Sequence, residues 1–131
     1  PKYKKMIITV RDDDKEEIVD IARRFKAIGY EIYATKGTGA ALRAKGVDTL
    51  YISKLEQDSP NLLDLILGHQ IDLVIDTPTQ GAEHSHDGFI IRRNAIETGV
   101  NVLTAIDTAK ALITSLENRE EQLTLIDIAT I

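Results

Sequence analysis

Cysteine is absent from the 131-residue sequence, and histidine is rare, occurring only as His69, His84 and His86. Without cysteine the chain can form neither a disulfide framework nor a zinc site built from thiolates. Three histidines alone are weak grounds for a metal site of another kind, so we expect no metal ion. The fold must therefore rest on the packing of its core.

Long apolar runs are absent as well. No run approaches the ~20 residues that a helix needs to span a bilayer, and the first residues lack the apolar stretch of a signal peptide. These absences predict a cytoplasmic protein that does not enter a membrane. The sequence begins with Pro1 rather than methionine, which we interpret as a processed product or a domain cut from a longer polypeptide.

Positive charge is in short supply, because 16 lysines and arginines stand against 21 aspartates and glutamates, a net charge of −5. Nonspecific nucleic-acid binding needs a basic face that displaces counterions from phosphates, so we do not expect it. The net charge does not exclude a local basic pocket. With 43% hydrophobic and 28% charged residues, the composition is that of one globular domain covering residues 1–131.

What the sequence does contain is an alternation of short apolar runs with helical patterns. Parallel neighbouring strands require crossover connections, and both faces of such a sheet need covering. We therefore predict an α/β fold: a doubly wound (Rossmann-like), mostly parallel five-stranded sheet with helices on both faces. The predicted strands are Met6–Val10, Tyr30–Ala34, Thr49–Ile52, Asp72–Asp76 and Asn101–Ala105.

The helical patterns carry their own end signals. Asp13 and Glu16 have the spacing of a capping box at the start of the first helix, and Gly29 suits a left-handed cap at its end. The spacing predicts one apolar stripe on this helix, formed by Ile18, Ile21, Ala22, Phe25 and Ile28. Further helices are predicted over Pro60–Leu67, from Asp87 to Thr98 with Ile91, Ala95 and Ile96 facing inward, and after a capping Asp107. We interpret the tail, Glu120–Ile131, as a loose strand or an exit towards another domain.

One stretch between the second strand and the second helix stands out: Ala34-Thr35-Lys36-Gly37-Thr38-Gly39. We predict a turn here, with the helix running from Ala40 to Ala44. A strand that turns into a helix through glycines and threonines leaves backbone N–H groups unpaired at the positive end of the helix dipole, which favours an anion such as phosphate. The alternative is that Gly37 and Gly39 only let the chain turn tightly.

Other polar residues follow the predicted strands at their carboxyl ends, where ligands bind in sheets of this kind. They lie in Asp12–Lys15, Ser53-Lys54, Thr77–Gly81 and Thr104–Asp107. Several hydroxyls and two lysines on converging loops make a phosphate site more probable than the glycine stretch does alone.

These motifs, in this order, give a resemblance to a known family. The sequence contains Asp-Lys after the first strand, then A-T-K-G-T, Lys54, I-D-T-P-T-Q-G and D-G-F-I-I-R-R-N-A-I. It resembles the methylglyoxal synthase-like domain from about Lys5 to Leu116, most closely the version at the carboxyl end of the carbamoyl phosphate synthase large subunit. The resemblance implies that the phosphate would be bound by Lys15, Thr35, Thr38, Lys54, Thr77 and Thr79. Arg92 matches the I-R-R motif of the family, although an arginine early in a helix can equally be solvated or paired with Asp87 or Glu83. We add Gly37 of the glycine stretch and Asp76 as further candidates for the effector site.

The same resemblance implies a regulatory role in pyrimidine and arginine biosynthesis. The domain would bind phosphorylated effectors such as uridine monophosphate, inosine monophosphate or phosphoribosyl pyrophosphate. It would have no catalytic residue or cofactor of its own, since ATP and metal ions would act only in the synthetase parts. Its partners would be the rest of the large subunit, the glutaminase subunit and a second copy of itself.

Asp76 departs from the pattern, because many relatives have asparagine there. A carboxylate close to a phosphate costs affinity unless it is protonated, turned away or paired with a lysine. Asp76 is open to two other interpretations: it accepts hydrogen bonds from ribose hydroxyls, or it caps the turn that follows its strand.

The alternative function is enzymatic, since methylglyoxal synthase shares this family's fold and eliminates phosphate from dihydroxyacetone phosphate. By resemblance, Asp12, Asp58, His84 and Asp87 would be the candidates for its acid–base groups. However, Lys54–Gln57 replaces the glycine-rich segment expected ahead of Asp58. Asp58 and Asp87 also suit helix caps. A docking domain without a ligand would leave the threonines and lysines unexplained.

Overall fold

The computed structural model describes residues 4–52, 68, 71–77 and 93–129, with side chains described as far as 123. Five strands form one sheet, and each pairs with its neighbours in parallel. The strands are β1 (Lys5–Val10), β2 (Glu31–Ala34), β3 (Leu50–Tyr51), β4 (Leu73–Thr77) and β5 (Asn101–Leu103). Their spatial order is β3-β2-β1-β4-β5. The predicted doubly wound α/β fold is confirmed, with a sheet that is wholly parallel.

The described helices are α1 (Lys15–Ala27), α2 (Lys36–Ala44), α3 (93–97) and α4 (Ile106–Ala129), and a single 3₁₀ turn, Asp12–Asp14, precedes α1. Gly29 and Gly99 follow α1 and α3 with φ angles of 100° and 78°. Both are therefore left-handed caps, and the cap at Gly29 was predicted from the sequence. The helix predicted over Pro60–Leu67 and the first part of the one from Asp87 lie outside the described residues.

Alternate residues of β1 belong to two separate hydrophobic cores, one on each face of the sheet. Met6 and Ile8 pack with buried side chains of α1, α2 and α4 on one face. Ile7 packs with Val74 and Ala95 on the other. Because the side chains of a strand alternate between its faces, a continuous apolar run such as β1 requires a core on each side.

The predicted apolar stripe of the first helix is confirmed, since Ile18, Ile21, Ala22 and Phe25 are all buried. Ile28, after the end of the helix, is partly buried against the same core. The Phe25 ring meets the ring of Tyr30 edge to face at a centroid distance of 5.1 Å. This contact packs the residue before β2 against the last part of α1.

Two predictions about helix caps are wrong, and the tail is not a loose strand. The capping box is not formed, since Asp14 rather than Asp13 holds the cap position of α1 and makes no side-chain cap bond. Its carboxylate instead accepts a bond from Arg11 Nε at 2.9 Å. Asp107 lies inside the first turn of α4, which begins at Ile106, and the tail continues this helix to Ala129.

Ile96 was expected to face inward beside Ala95, but its side chain is 72% exposed while Ala95 is fully buried. Successive residues of a helix point about 100° apart, so two neighbours rarely share the centre of a buried face. The core contact that follows Ala95 is made by Val100, after the turn at Gly99.

Candidate functional site

The candidate site lies at the carboxyl ends of β1, β2 and β4. The order of strands reverses between β1 and β4, because α1, which follows β1, packs on one face of the sheet and α3, which follows β4, packs on the other. In sheets of this kind, ligands bind in the crevice at such a reversal. The register sets Thr9 of β1 opposite Asp76 of β4, and Val10 opposite Thr77. Ala34, the last residue of β2, lies opposite Ile8. The loop after β2 is thereby brought next to the loop after β1.

The glycine stretch is the beginning of α2 rather than a turn before it, so the predicted start at Ala40 is wrong. The helix begins at Lys36, and the N–H of Gly39 bonds the carbonyl of Thr35 at 2.7 Å. The glycines with positive φ in the described ranges are Gly29, Gly46 and Gly99, so Gly37 and Gly39 turn no tight corner. The absence of a side chain at Gly37 leaves room for the ammonium group of Lys15. A Cβ atom at position 37 would lie 3.2 Å from Lys15 Nζ, closer than an ordinary van der Waals contact.

The start of α2 is not capped by its own cap residue. Thr35 holds the cap position but makes no side-chain cap bond. Its hydroxyl lies 3.0 Å from the hydroxyl of Thr9 instead. The N–H groups of residues 36–38 have no carbonyl within the helix to bond. They form the positive end of the helix dipole, which is suited to an anion.

The hydroxyl of Thr38 ties α2 to β1. It accepts a hydrogen bond from the N–H of Val10 at 3.1 Å and donates to the carbonyl of Val10 at 3.4 Å. The residue is only 2% exposed. Since its one hydroxyl hydrogen is directed at Val10, the donor that Thr38 offers at the start of α2 is its backbone N–H.

We expect Thr38→Val to lower the free energy of unfolding by about 1–3 kcal/mol, because it leaves the buried N–H of Val10 unsatisfied. Thr38→Ser keeps the hydroxyl and serves as the matched control. Urea denaturation of both variants tests this expectation. An unchanged stability of the valine variant, which keeps a methyl group but lacks the hydroxyl, would show that the hydrogen bond does not contribute.

Thr77 has a similar role on the other side of β1. The N–H of Arg11 is shared between the carbonyl and the hydroxyl of Thr77, at 3.1 Å from each. Thr77 is 4% exposed and the neighbouring Asp76 is 8% exposed. Both residues are therefore buried at the carboxyl end of β4, and the Thr77 hydroxyl holds the chain that leaves β1.

Lys15 brings positive charge to this edge. Its ammonium group donates a hydrogen bond to the carboxylate of Asp12 and lies beside Gly37, at the start of α2. The hydrogen bond and the charge of Lys15 lower the pKa of Asp12 below its usual value. A carboxyl group held ionised in this way is a weak base, which argues against the acid–base role that the enzymatic alternative assigns to Asp12.

The structure thus brings together six of the nine predicted site residues at the carboxyl ends of β1, β2 and β4 and the starts of α1 and α2. Lys54, Thr79 and Arg92 lie outside the described residues, as do Asp58, His84 and Asp87 of the enzymatic alternative. Arg93, next to Arg92, forms an exposed ion pair with Glu97 at 3.2 Å. The six residues are Lys15, Thr35, Gly37, Thr38, Asp76 and Thr77.

One further residue of this edge, Thr9, was missed at the sequence level, and Asp12 was predicted only as part of Asp12–Lys15 and as an acid–base candidate of the enzymatic alternative. Thr9 pairs with Thr35, and Asp12 pairs with Lys15. Thr9 could have been recognised from the sequence, because it is a hydroxyl residue within an apolar strand, one position before the end of that strand. Asp12 stands three residues before Lys15, but that spacing alone does not distinguish it from Asp13 and Asp14.

Within the described ranges, no group of histidine and acidic side chains has the arrangement of a metal site. None of the helices found there is long and apolar enough to cross a membrane.

Comparison with known proteins adds a family and a set of relatives. The family model described as "MGS-like domain" matches residues 17–104. Carbamoyl phosphate synthase large chains of Lachnoclostridium phytofermentans and Agathobacter rectalis are 61% and 58% identical over the whole chain, which spans 12% of each of them. The crystal structure of methylglyoxal synthase from Elizabethkingia anophelis has a TM-score of 0.70 and 20% identity over 86% of this chain and 78% of that one, a likeness of fold.

Proposed function

Since this chain belongs to the MGS-like domain family, we propose that it is the allosteric domain of a carbamoyl phosphate synthase large chain and binds a phosphorylated effector. The binding site is the crevice between β1, β2 and β4. The observation that carries the proposal is the position of the Lys15 ammonium against Gly37, at the start of a helix whose cap residue leaves it uncapped.

Two positive features meet at this point. An ammonium group beside the amino end of a helix faces the positive pole of the helix dipole, which is unfavourable, whereas an anion there is favourable. A phosphate monoester placed between them accepts charge-assisted hydrogen bonds from both Lys15 and the first amides of α2. A neutral ligand would gain neither contribution. The arrangement therefore supports a phosphorylated effector over a nucleoside or a free sugar.

The role within a larger enzyme is supported by the relatives, of which this chain spans 12%. In the proposal the rest of the large chain, with the glutaminase subunit, carries out the synthesis in the cytoplasm and uses ATP and metal ions there. The domain itself needs no cofactor. Uridine monophosphate, inosine monophosphate and phosphoribosyl pyrophosphate are the effectors to be tested, and a second copy of the chain is a further partner.

We expect phosphate-bearing nucleotides to stabilise the purified chain against heat. A ligand present at about 100 times its dissociation constant adds about 2.7 kcal/mol to the free energy of unfolding, which shifts the melting temperature by several degrees. Differential scanning calorimetry with uridine monophosphate and inosine monophosphate measures this shift. Uridine at equal concentration is the control that lacks only the phosphate.

The proposal fails if millimolar nucleotides and inorganic phosphate all leave the melting temperature unchanged. Equal shifts with uridine and with uridine monophosphate would also contradict it, since the phosphate would then contribute nothing. Whether the bound effector regulates the whole enzyme is a separate measurement, made on the full large chain with its glutaminase subunit.

A further inference from the structure

We propose that Asp12 is an internal counter-ion of the binding site, which holds Lys15 while no ligand is bound and is displaced by the phosphate of the effector. This inference rests on the proposed function, because it concerns the same site and gives a means of tuning its affinity. It predicts that the protein weakens its own effector binding through one exposed carboxylate.

The positions of the two side chains carry the argument. Lys15 is partly buried, with 26% of its side chain exposed, whereas the side chain of Asp12 is 91% exposed. The ammonium group is therefore held in place beside Gly37, while the carboxylate reaches it from the solvent side. A carboxylate in that position accepts a hydrogen bond from the Lys15 ammonium group, which is the donor that a phosphate oxygen would use.

The neighbouring acidic residues do not share this position. Asp14 is nearly buried and is bonded by Arg11 Nε at 2.9 Å, so it belongs to the framework of the turn. Asp13 is exposed in the same 3₁₀ turn. Of the three, Asp12 is the one whose carboxylate pairs with Lys15, and this pairing lowers the pKa of Asp12.

Asp13 also provides a matched control. Asp12→Asn and Asp13→Asn change the net charge of the chain equally and affect the same exposed turn. A general electrostatic effect of removing one negative charge would appear in both variants. Release of Lys15 from its internal partner would appear only in Asp12→Asn.

The test is isothermal titration calorimetry of the purified chain and both variants with uridine monophosphate and with inorganic phosphate. We expect Asp12→Asn to bind the nucleotide about 2- to 5-fold more tightly than the unmodified chain, the range typical of an exposed ion pair, and Asp13→Asn to change little. The double variant Asp12→Asn/Lys15→Gln should bind the nucleotide no more tightly than Lys15→Gln alone, because the ammonium group that pairs with the Asp12 carboxylate is then missing.

The possible failures are distinct. If the unmodified chain binds uridine monophosphate but Asp12→Asn binds it equally or more weakly, or if Asp13→Asn gains as much, the counter-ion role is wrong and the proposed function stands. If neither the unmodified chain nor any variant binds the nucleotide or inorganic phosphate, the proposed function fails and this inference fails with it. Far-ultraviolet circular dichroism on every variant verifies that the fold is intact.

Discussion

Replacing Ile8 with alanine is expected to lower the free energy of unfolding by about 2–5 kcal/mol. Ile8 is fully buried at the centre of the sheet, where the register places it between Ala34 of β2 and Ile75 of β4. The substitution removes three carbons from a core that is closed by α1, α2 and α4. Neighbours on two paired strands can collapse only partly into the space, so the cost includes a cavity as well as the lost burial.

The matched control is Ile96→Ala, the same chemical change at a side chain that is 72% exposed. We expect it to change the free energy of unfolding by no more than about 0.5 kcal/mol, as is usual for surface positions. Urea denaturation followed by circular dichroism measures both. A loss at Ile96 comparable to that at Ile8 would contradict the exposure of Ile96 in the structure.

Replacing Lys15 with glutamine is expected to weaken binding of uridine monophosphate by about 10- to 100-fold, the loss typical of a hydrogen bond to a charged group. Glutamine keeps much of the length of the side chain but cannot carry charge. It also removes the cation that Asp12 contacts, so an exposed carboxylate then remains near the phosphate. Isothermal titration calorimetry of the variant measures the loss directly.

Lys45→Gln is the control, since Lys45 is an exposed lysine that follows the opposite end of α2. It changes the net charge by the same amount and should leave the affinity within about 2-fold, because a distant exposed charge is largely screened by salt. Uridine should bind both variants alike. If Lys15→Gln weakens the nucleoside as much as the nucleotide, Lys15 does not contact the phosphate.

The residues of the site show where inference from the sequence stops. Lys15, Thr35 and Thr77 were predicted from their places after strands, and the parallel register brings them to one edge. The partners of their polar groups were not predicted. That Thr35 pairs with Thr9, and Thr38 with Val10, depends on how closely β2 and α2 pack against β1, a distance that no local pattern contains.

By itself the sequence determined the parts that depend on neighbours along the chain. The strand and helix periods, the buried stripe of α1 and the left-handed cap at Gly29 follow from the spacing of apolar residues and from backbone sterics. The alternation of strands and helices then restricts the topology to a doubly wound sheet.

Tertiary structure alone decided the remaining features, because each depends on groups that are distant in sequence. Helix α2 begins at Lys36 rather than Ala40, and the ammonium of Lys15, at the start of α1, lies beside Gly37. Ile96 is exposed although its pattern is apolar, because the face of α3 that meets the sheet is centred on Ala95. A helical period gives the spacing of a buried face, but the rotation of the helix about its axis is set by the surface on which it packs.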